Sequence, residues 1–238
     1  MTSISEQTLS SIVTGNHQTV PIFEKYDLDF CCKGKRTLAQ ACTEKNVKIE
    51  KITEELRSLT FVEGKQQMPF TEMSAEQLIG YILIHHHFYV KQSMPSIFYH
   101  LHKVATKHGD RFPYMKKVYD LFIIIMREMT LHMEKEELAL FPRIKEVENL
   151  YKSGKSSDIL AGYIQNPVNA MDSDHEESGN IMYEIRTLTD NYMPPQDACT
   201  TFKITLAELK EFEKDLHKHV HLENNILFPK AIQYEISR

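Results

Sequence analysis

Residues 132–144, HMEKEELALFPRI, are echoed by residues 219–231, HVHLENNILFPKA. Each copy holds a histidine, a glutamate four residues later, then Phe-Pro: His132, Glu136, Phe141, Pro142 and His219, Glu223, Phe228, Pro229. On an α-helix, residues four apart share a face. Each copy therefore presents an imidazole and a carboxylate side by side. Two such helices facing each other would make a cage of nitrogen and oxygen donors. We read this as a metal site, with two iron ions as its occupants. One copy alone would be a weak signal, because His and Glu at this spacing are common on solvated helices. The repeat strengthens it. A duplicated structural hairpin would keep Phe, Leu and Pro, but it has no need to keep a buried His and Glu, which are costly unless paired or metal-bound.

Working outward, the chain supports a bundle around that cage. It has 238 residues with only 8 Gly, and helix formers dominate over alternating Val-rich runs, so an all-α fold is expected. Four long helical patterns occur beyond residue 74. The first spans about 74–107, with a kink expected at Pro95. The second spans about 114–148 and the fourth about 199–234; these carry the two copies. The third runs from about 168 to 189, after a break at Asn166-Pro167. Four long helices with short connections make a four-helix bundle that can hold cofactors between facing helices. Residues 1–60 read as a small separate helical unit. Helices are expected there near 7–13, 21–26, 38–45 and 49–59, with Thr19 and Thr37 as caps. Residues 61–73, with Gly64 and Pro69, read as a linker.

Two His/Glu pairs give four ligands. More should come from the first and third bundle helices, which offer His85, His86 and His87, and His175. Neighbouring helical residues point about 100° apart. Periodicity leaves the choice between His86 and His87 open. The set contains no thiolate, which suits Fe, Mn or Zn rather than Cu(I) or an iron-sulfur cluster. Asp172, Asp174 and Glu176 are candidates to support the ligands. His17, His85, His100, His102, His217 and His221 are read as surface residues or as neighbours of the ligands.

The formal net charge of −5 argues against a nucleic-acid binder. No run approaches the length of a membrane span, and the first residues lack the pattern of a secretion signal. The four cysteines, Cys31, Cys32, Cys42 and Cys199, form no spaced disulfide framework. A cytoplasmic protein with reduced thiols is expected.

The whole chain also resembles a known family, the di-iron repair-of-iron-centres (YtfE/ScdA-like) proteins. The matching stretches are KYDLDFCCKGKRTLAQA, HHFYVKQSMP, HMEKEELALFP, DHEESG, PPQDACTTFK and HLENNILFP. The resemblance implies a hemerythrin-like bundle behind a small N-terminal domain. It implies a non-haem di-iron centre, oxo- and carboxylate-bridged, with His87, His132, His175 and His219 as ligands and Glu136 and Glu223 as bridges. It favours His87 over His86, and it makes His108 a weaker further candidate. Asp174 stands where the family pattern leads us to expect Glu. The implied function is repair of iron-sulfur clusters damaged by oxidative or nitrosative stress, through redox cycling and donation of labile iron. Damaged iron-sulfur proteins are the implied partners, and a homodimer the implied assembly. The adjacent Cys31 and Cys32 fit an accessible redox or transfer pair rather than a stable internal disulfide, which would be strained. Lys33, Lys35 and Arg36 are expected to favour their thiolates; the plainer reading is buried, packing thiols. Two rival functions use the same bundle: oxygen or nitric oxide binding or sensing, and nitric oxide reduction.

Overall fold

The computed structural model describes residues 3–59, 70–156 and 159–237. Helix accounts for nearly all regular structure among them; the exception is an isolated bridge between Thr8 and Thr37. The linker expected at 61–73 lies, over 61–69, outside the described residues.

Residues 3–59 include four short α-helices, α1 Leu9–Gly15, α2 Val20–Lys25, α3 Leu38–Glu44 and α4 Ile49–Leu59. Their starts are set by local chemistry. The Thr8 hydroxyl accepts the Ser11 N–H, and Thr37 closes a reciprocal capping box with Gln40. Thr19 behaves otherwise than expected. Its hydroxyl donates to the Asn16 carbonyl (2.7 Å) and makes no cap, while Pro21 occupies the first turn of α2. Leu9, Val13, Phe23, Phe30, Leu38 and Ile52 make the core of this unit, and Val220 of the bundle completes it. The small unit is thereby seated on the bundle.

The bundle comes next along the chain. Its first helix is α5 Ala75–Ile82 and α6 Phe88–His108, joined by a π-helical segment Leu83–His87. The second is α7 Tyr114–Lys135 and α8 Phe141–Lys152 around a π segment Glu136–Leu140. The third is the continuous α9 Gln165–Leu188. The fourth is α10 Thr200–Leu222 and α11 Phe228–Ile236 around a π segment Glu223–Leu227. Two prolines find their places on these helices. Helix α6 runs through Pro95, and a separate π-helical change in hydrogen bonding lies earlier, at Leu83–His87. Pro167 sits in the first turn of α9, where its missing N–H costs nothing, so it begins the helix rather than breaking it.

Two apolar clusters divide the bundle. One gathers Val90, Leu101, Phe122, Met133, Phe202 and Phe212; the other gathers Leu78, Ile82, Phe141, Ile144, Met171 and Phe228. The His/Glu copies lie at the level between them. Helix packing on either side excludes water from that level and holds it rigid.

The repeat extends further than the motif. Glu148 and Glu235 each fall twelve positions after Glu136 and Glu223. Glu148 accepts the N–H groups of Ala75 (3.2 Å) and Glu76 (2.9 Å) at the start of α5. Glu235 accepts those of Tyr163 (2.9 Å), Ile164 (3.2 Å) and Gln165 (3.1 Å) at the start of α9. Each buried carboxylate thus satisfies the orphan donors of a neighbouring helix and meets its positive end.

Candidate metal centre

Six residues converge between the apolar clusters: His87 from the first helix, His132 and Glu136 from the second, His175 from the third, His219 and Glu223 from the fourth. All are at least 98 % buried. They form two groups of four, His87–Glu136–His219–Glu223 and His132–Glu136–His175–Glu223, with the donor atoms of each group within 4.8 Å of one another. Both groups share both carboxylates. Glu136 Oε2 lies 3.3 Å from Nε2 of His87 and 3.3 Å from Nε2 of His132. Glu223 Oε2 lies 3.2 Å from His175 Nε2, and its Oε1 2.8 Å from His219 Nε2. The Nε2 atoms of His132 and His175 are 3.0 Å apart.

The local sequence explains the aim of these groups. The wide π turns begin at Glu136 and Glu223, so that the N–H of Phe141 bonds the carbonyl of Glu136 and that of Phe228 the carbonyl of Glu223. Such turns recur at functional sites because the extra residue rotates the helix beyond it. They also give room for Pro142 and Pro229, whose rings would crowd a regular turn. The Phe-Pro signature then has a purpose. Phe141 stacks on His87 (5.7 Å, 27°) and Phe228 on His175 (6.3 Å, 5°). The residue after each glutamate orients the same rings. His87 Nδ1–H donates to Glu137 (2.7 Å), and His175 Nδ1–H to Asn224 Oδ1 (3.0 Å). A carboxylate or amide oxygen only accepts, which leaves Nε2 of each ring bare and pointing inward. Sequence reasoning missed Glu137 and Asn224; their place in the repeat, one after each glutamate, was the available signal.

Burial opposes charge on both carboxylates, and their neighbours divide them. Burial and the facing Glu223 push Glu136 well above the usual carboxylate range. For Glu223, the neighbouring His219 and His175 outweigh burial and hold it well below. Burial lowers His132, and lowers His219 to about 4. Burial lowers His87 and His175, but the adjoining carboxylates of Glu136 and Glu223 outweigh it and both are raised. Even so, both oxygens of Glu136, one of Glu223 and Nε2 of His87 are buried without a hydrogen-bond partner. Unpartnered carboxylates this deep are costly. Converging nitrogen and oxygen donors, several of them left without a hydrogen-bond partner, fit a shared cation, and the all-N/O set suits iron, manganese or zinc.

The other singled-out residues fall elsewhere. His86 is also buried. Its Nδ1 meets Asp215 (3.0 Å), and its ring lies parallel to that of His219 (5.5 Å, 2°), behind that residue rather than in the donor groups. Asp174 Oδ2 stands 3.5 Å from His132 Nδ1 and 2.7 Å from Lys135, and these two neighbours hold its carboxyl at about 2. His108 does not join the cage. It ends α6, 21 residues past His87 and so roughly 30 Å along the axis, where its Nε2 meets Cys199 Sγ at 3.3 Å. His221, read as a surface residue or a neighbour of the ligands, is 1 % exposed and bonded to Asn225.

Cys31 and Cys32 pack against the third helix. Their sulfurs are 3.7 Å apart, and Cys32 Sγ lies 3.8 Å from the His175 carbonyl. Asn224 links the two regions. It holds His175, and its amide reaches the Cys31 carbonyl at 3.5 Å. The expectation that basic neighbours favour the Cys31 thiolate is corrected. Its hydrogen bond with Cys32, its burial and the nearby Asp29 push the thiol well up, while Arg36 turns to Glu44. Cys31 is buried and Cys32 half-buried, so the pair is less accessible than expected.

Residues 78–231 match the family model of the hemerythrin HHE cation binding domain, and residues 5–60 match ScdA_N, described as a domain of unknown function. Similarity to curated proteins runs the whole length. The iron-sulfur cluster repair protein YtfE of Citrobacter koseri is 31% identical over 233 residues, covering 98% of this chain and 100% of that one. The protein of the same name from Escherichia coli (strain K12 / DH10B) is 32% identical over 230 residues, covering 97% and 98%. That from Enterobacter sp. (strain 638) is 31% identical over 230 residues. Both parts of the architecture and near-complete mutual coverage agree, and the chain belongs to the family of the YtfE iron-sulfur cluster repair proteins.

Proposed function

We propose that this protein is a non-haem di-iron protein that restores iron-sulfur clusters damaged by oxidative or nitrosative stress. One observation carries the reading: two four-donor groups share both of their carboxylates. His87 and His219 would hold one iron and His132 and His175 the other, with Glu136 and Glu223 bridging. Bound iron supplies a change of oxidation state and, once released, the metal that a damaged cluster lacks. The chain supplies the rest. Two carboxylates offset the cations in a layer closed to water. Glu137 and Asn224 keep two rings in the ligating tautomer. Two imidazoles and two shared carboxylates per ion leave positions open for an oxo bridge or a small ligand such as nitric oxide or oxygen.

The name of the relatives supports the repair role. Cys31 and Cys32, next to the His175 backbone, are the proposed transfer pair, taking up iron or forming a mixed disulfide with a client. The cytoplasm suits such thiols; among the described residues, no helix is long and apolar enough to cross a membrane.

Metal analysis with Mössbauer spectroscopy tests the centre, and reactivation of a cluster-damaged dehydratase tests the function. About two irons per chain and restored activity are expected, since each four-donor group takes one ion. Full reactivation by the metal-free protein would reject the reading. Changing both cysteines to serine should spare metal and abolish reactivation.

A further inference from the structure

A cavity of about 910 Å³ lies on the seam between the small unit and the bundle, away from the thiol pair. His17, Glu24, His217 and His221 line it; Glu24 Oε1 and His217 Nδ1 face each other at 3.8 Å, while His17 Nε2 and His221 Nε2 are buried without a hydrogen-bond partner. Buried polar groups lacking partners are few in folded proteins, so two such rings on one cleft point to a ligand. The direction of one of them can be assigned. Asn225 Nδ2 donates to the Phe30 carbonyl (3.1 Å) and also lies 2.9 Å from His221 Nδ1. A carbonyl only accepts, so the amide nitrogen faces both groups, and His221 Nδ1 is the bare nitrogen. The proton of this neutral ring is on Nε2, an N–H donor 99 % out of water with no acceptor.

The walls are rings. His17 meets Phe70 edge-on (4.9 Å) and His221 edge-on (5.1 Å), and Phe70 meets Tyr81 (4.8 Å). At the mouth, Lys214 is paired with Glu211, and Arg186 with Asp27 and Glu213. Lys210 and Lys218 are exposed and unpaired among the described residues. The inner wall includes His86, whose other face lies parallel to His219. One ring therefore separates the cleft from the candidate metal centre.

We propose that this cleft binds a planar organic anion of the flavin-nucleotide class and is the entry point for electrons. A flat heteroaromatic ring matches walls made of rings. Its carbonyls accept the His221 N–H, and its phosphate meets Lys210 and Lys218. Binding stands on the cleft alone; the electron role rests on the di-iron reading above. In that role a reduced flavin gives one electron to each of two ferric ions. It leaves oxidised, and its two protons pass to solvent.

Fluorescence titration of flavin mononucleotide against the metal-free full chain tests binding independently of iron. Saturable quenching is expected. It should weaken at least tenfold in the Lys210→Glu/Lys218→Glu double variant and for riboflavin, which lacks the phosphate. Both lysines are exposed, so the variant folds, and a matching thermal midpoint verifies it. Absence of saturable quenching up to millimolar flavin overturns the proposal, as does equal quenching by riboflavin or in the double variant. Stopped-flow bleaching of the ferric absorption by saturating reduced flavin tests electron entry. His86→Leu should slow it at least tenfold at equal metal content, and His86→Phe, which restores a ring, should recover part of the rate. An unchanged rate in His86→Leu rejects the electron role. Failure to load iron would reject the di-iron reading and the electron role with it, while the metal-free titration still decides binding.

Discussion

The two halves of the centre share one plan and part company most clearly at the residue after the glutamate. In each, a glutamate opens a π turn, a phenylalanine stacks on an imidazole, and a glutamate twelve positions on caps the neighbouring helix. The difference is the residue after the first glutamate. In one half it is Glu137, which holds His87 and also pairs with Lys91 (2.7 Å) toward solvent. In the other it is Asn224, which holds His175 and reaches the Cys31 carbonyl. A charged partner on one side and a neutral amide on the other give a near-symmetric cage two unlike faces. One looks to solvent and the other to the thiols.

The largest effect should be the same in both halves, which is the first way to break the comparison. Glu136→Ala and Glu223→Ala each remove a carboxylate shared by both donor groups. Each should cost both ions rather than one, giving well under one iron per chain by metal analysis. Loss of a single ion in either variant would show that the carboxylates are not shared.

The second effect is pH dependence, and again each half contributes one ring. His87 and His175 lie above the usual imidazole value, the adjoining carboxylates of Glu136 and Glu223 outweighing burial. A cation must displace those protons. Iron affinity should therefore fall as pH drops through the raised values, by about tenfold per pH unit for each protonated ring. His219, at about 4, is already neutral there and adds nothing. Apparent affinity measured from pH 8 to 5.5 checks this; a flat profile would show that neither ring binds metal.

Much of this was legible in the chain. The helical class came from composition and period, and His132, Glu136, His219 and Glu223 stood out because one spacing occurs twice. What spacing could not show was long-range. His87 and His86 are both buried, and only the crossing of helices decides which ring faces Glu136. The π turns are invisible to a 3.6-residue period, since they break it. The Cys31 thiol was misread because charge nearby in sequence, on Lys33, Lys35 and Arg36, is not charge nearby in space; Arg36 is spent on Glu44. Glu148 and Glu235 were within reach, had the repeat been traced four residues beyond the motif.

The third test separates the halves. Glu137→Ala and Asn224→Ala each release an imidazole, and loss of such a supporting partner typically costs about 10–100-fold in metal affinity. Of the two, only Asn224→Ala should also alter the thiols, because Asn224, unlike Glu137, touches the Cys31 backbone. Faster labelling of Cys32 by a thiol reagent in that variant, with no change in Glu137→Ala, is expected. Equal labelling in both would mean that the two faces are not distinct.

The smallest effect lies in the helix caps. Glu148 and Glu235 occupy equivalent positions and are both buried, but Glu148 accepts two backbone N–H groups and Glu235 three. Truncation to alanine strands those donors, and losing charge-assisted bonds of this kind costs about 1–3 kcal/mol. Glu148 also pairs with Lys152 (3.0 Å), whose side chain is 56% exposed, and so exposed a partner adds little. The additional N–H should therefore decide the order. Glu235→Ala should be the less stable variant by about 1 kcal/mol, read as the lower midpoint in chemical denaturation of the metal-free protein. The reverse order would mean that the Lys152 pair outweighs a buried backbone bond.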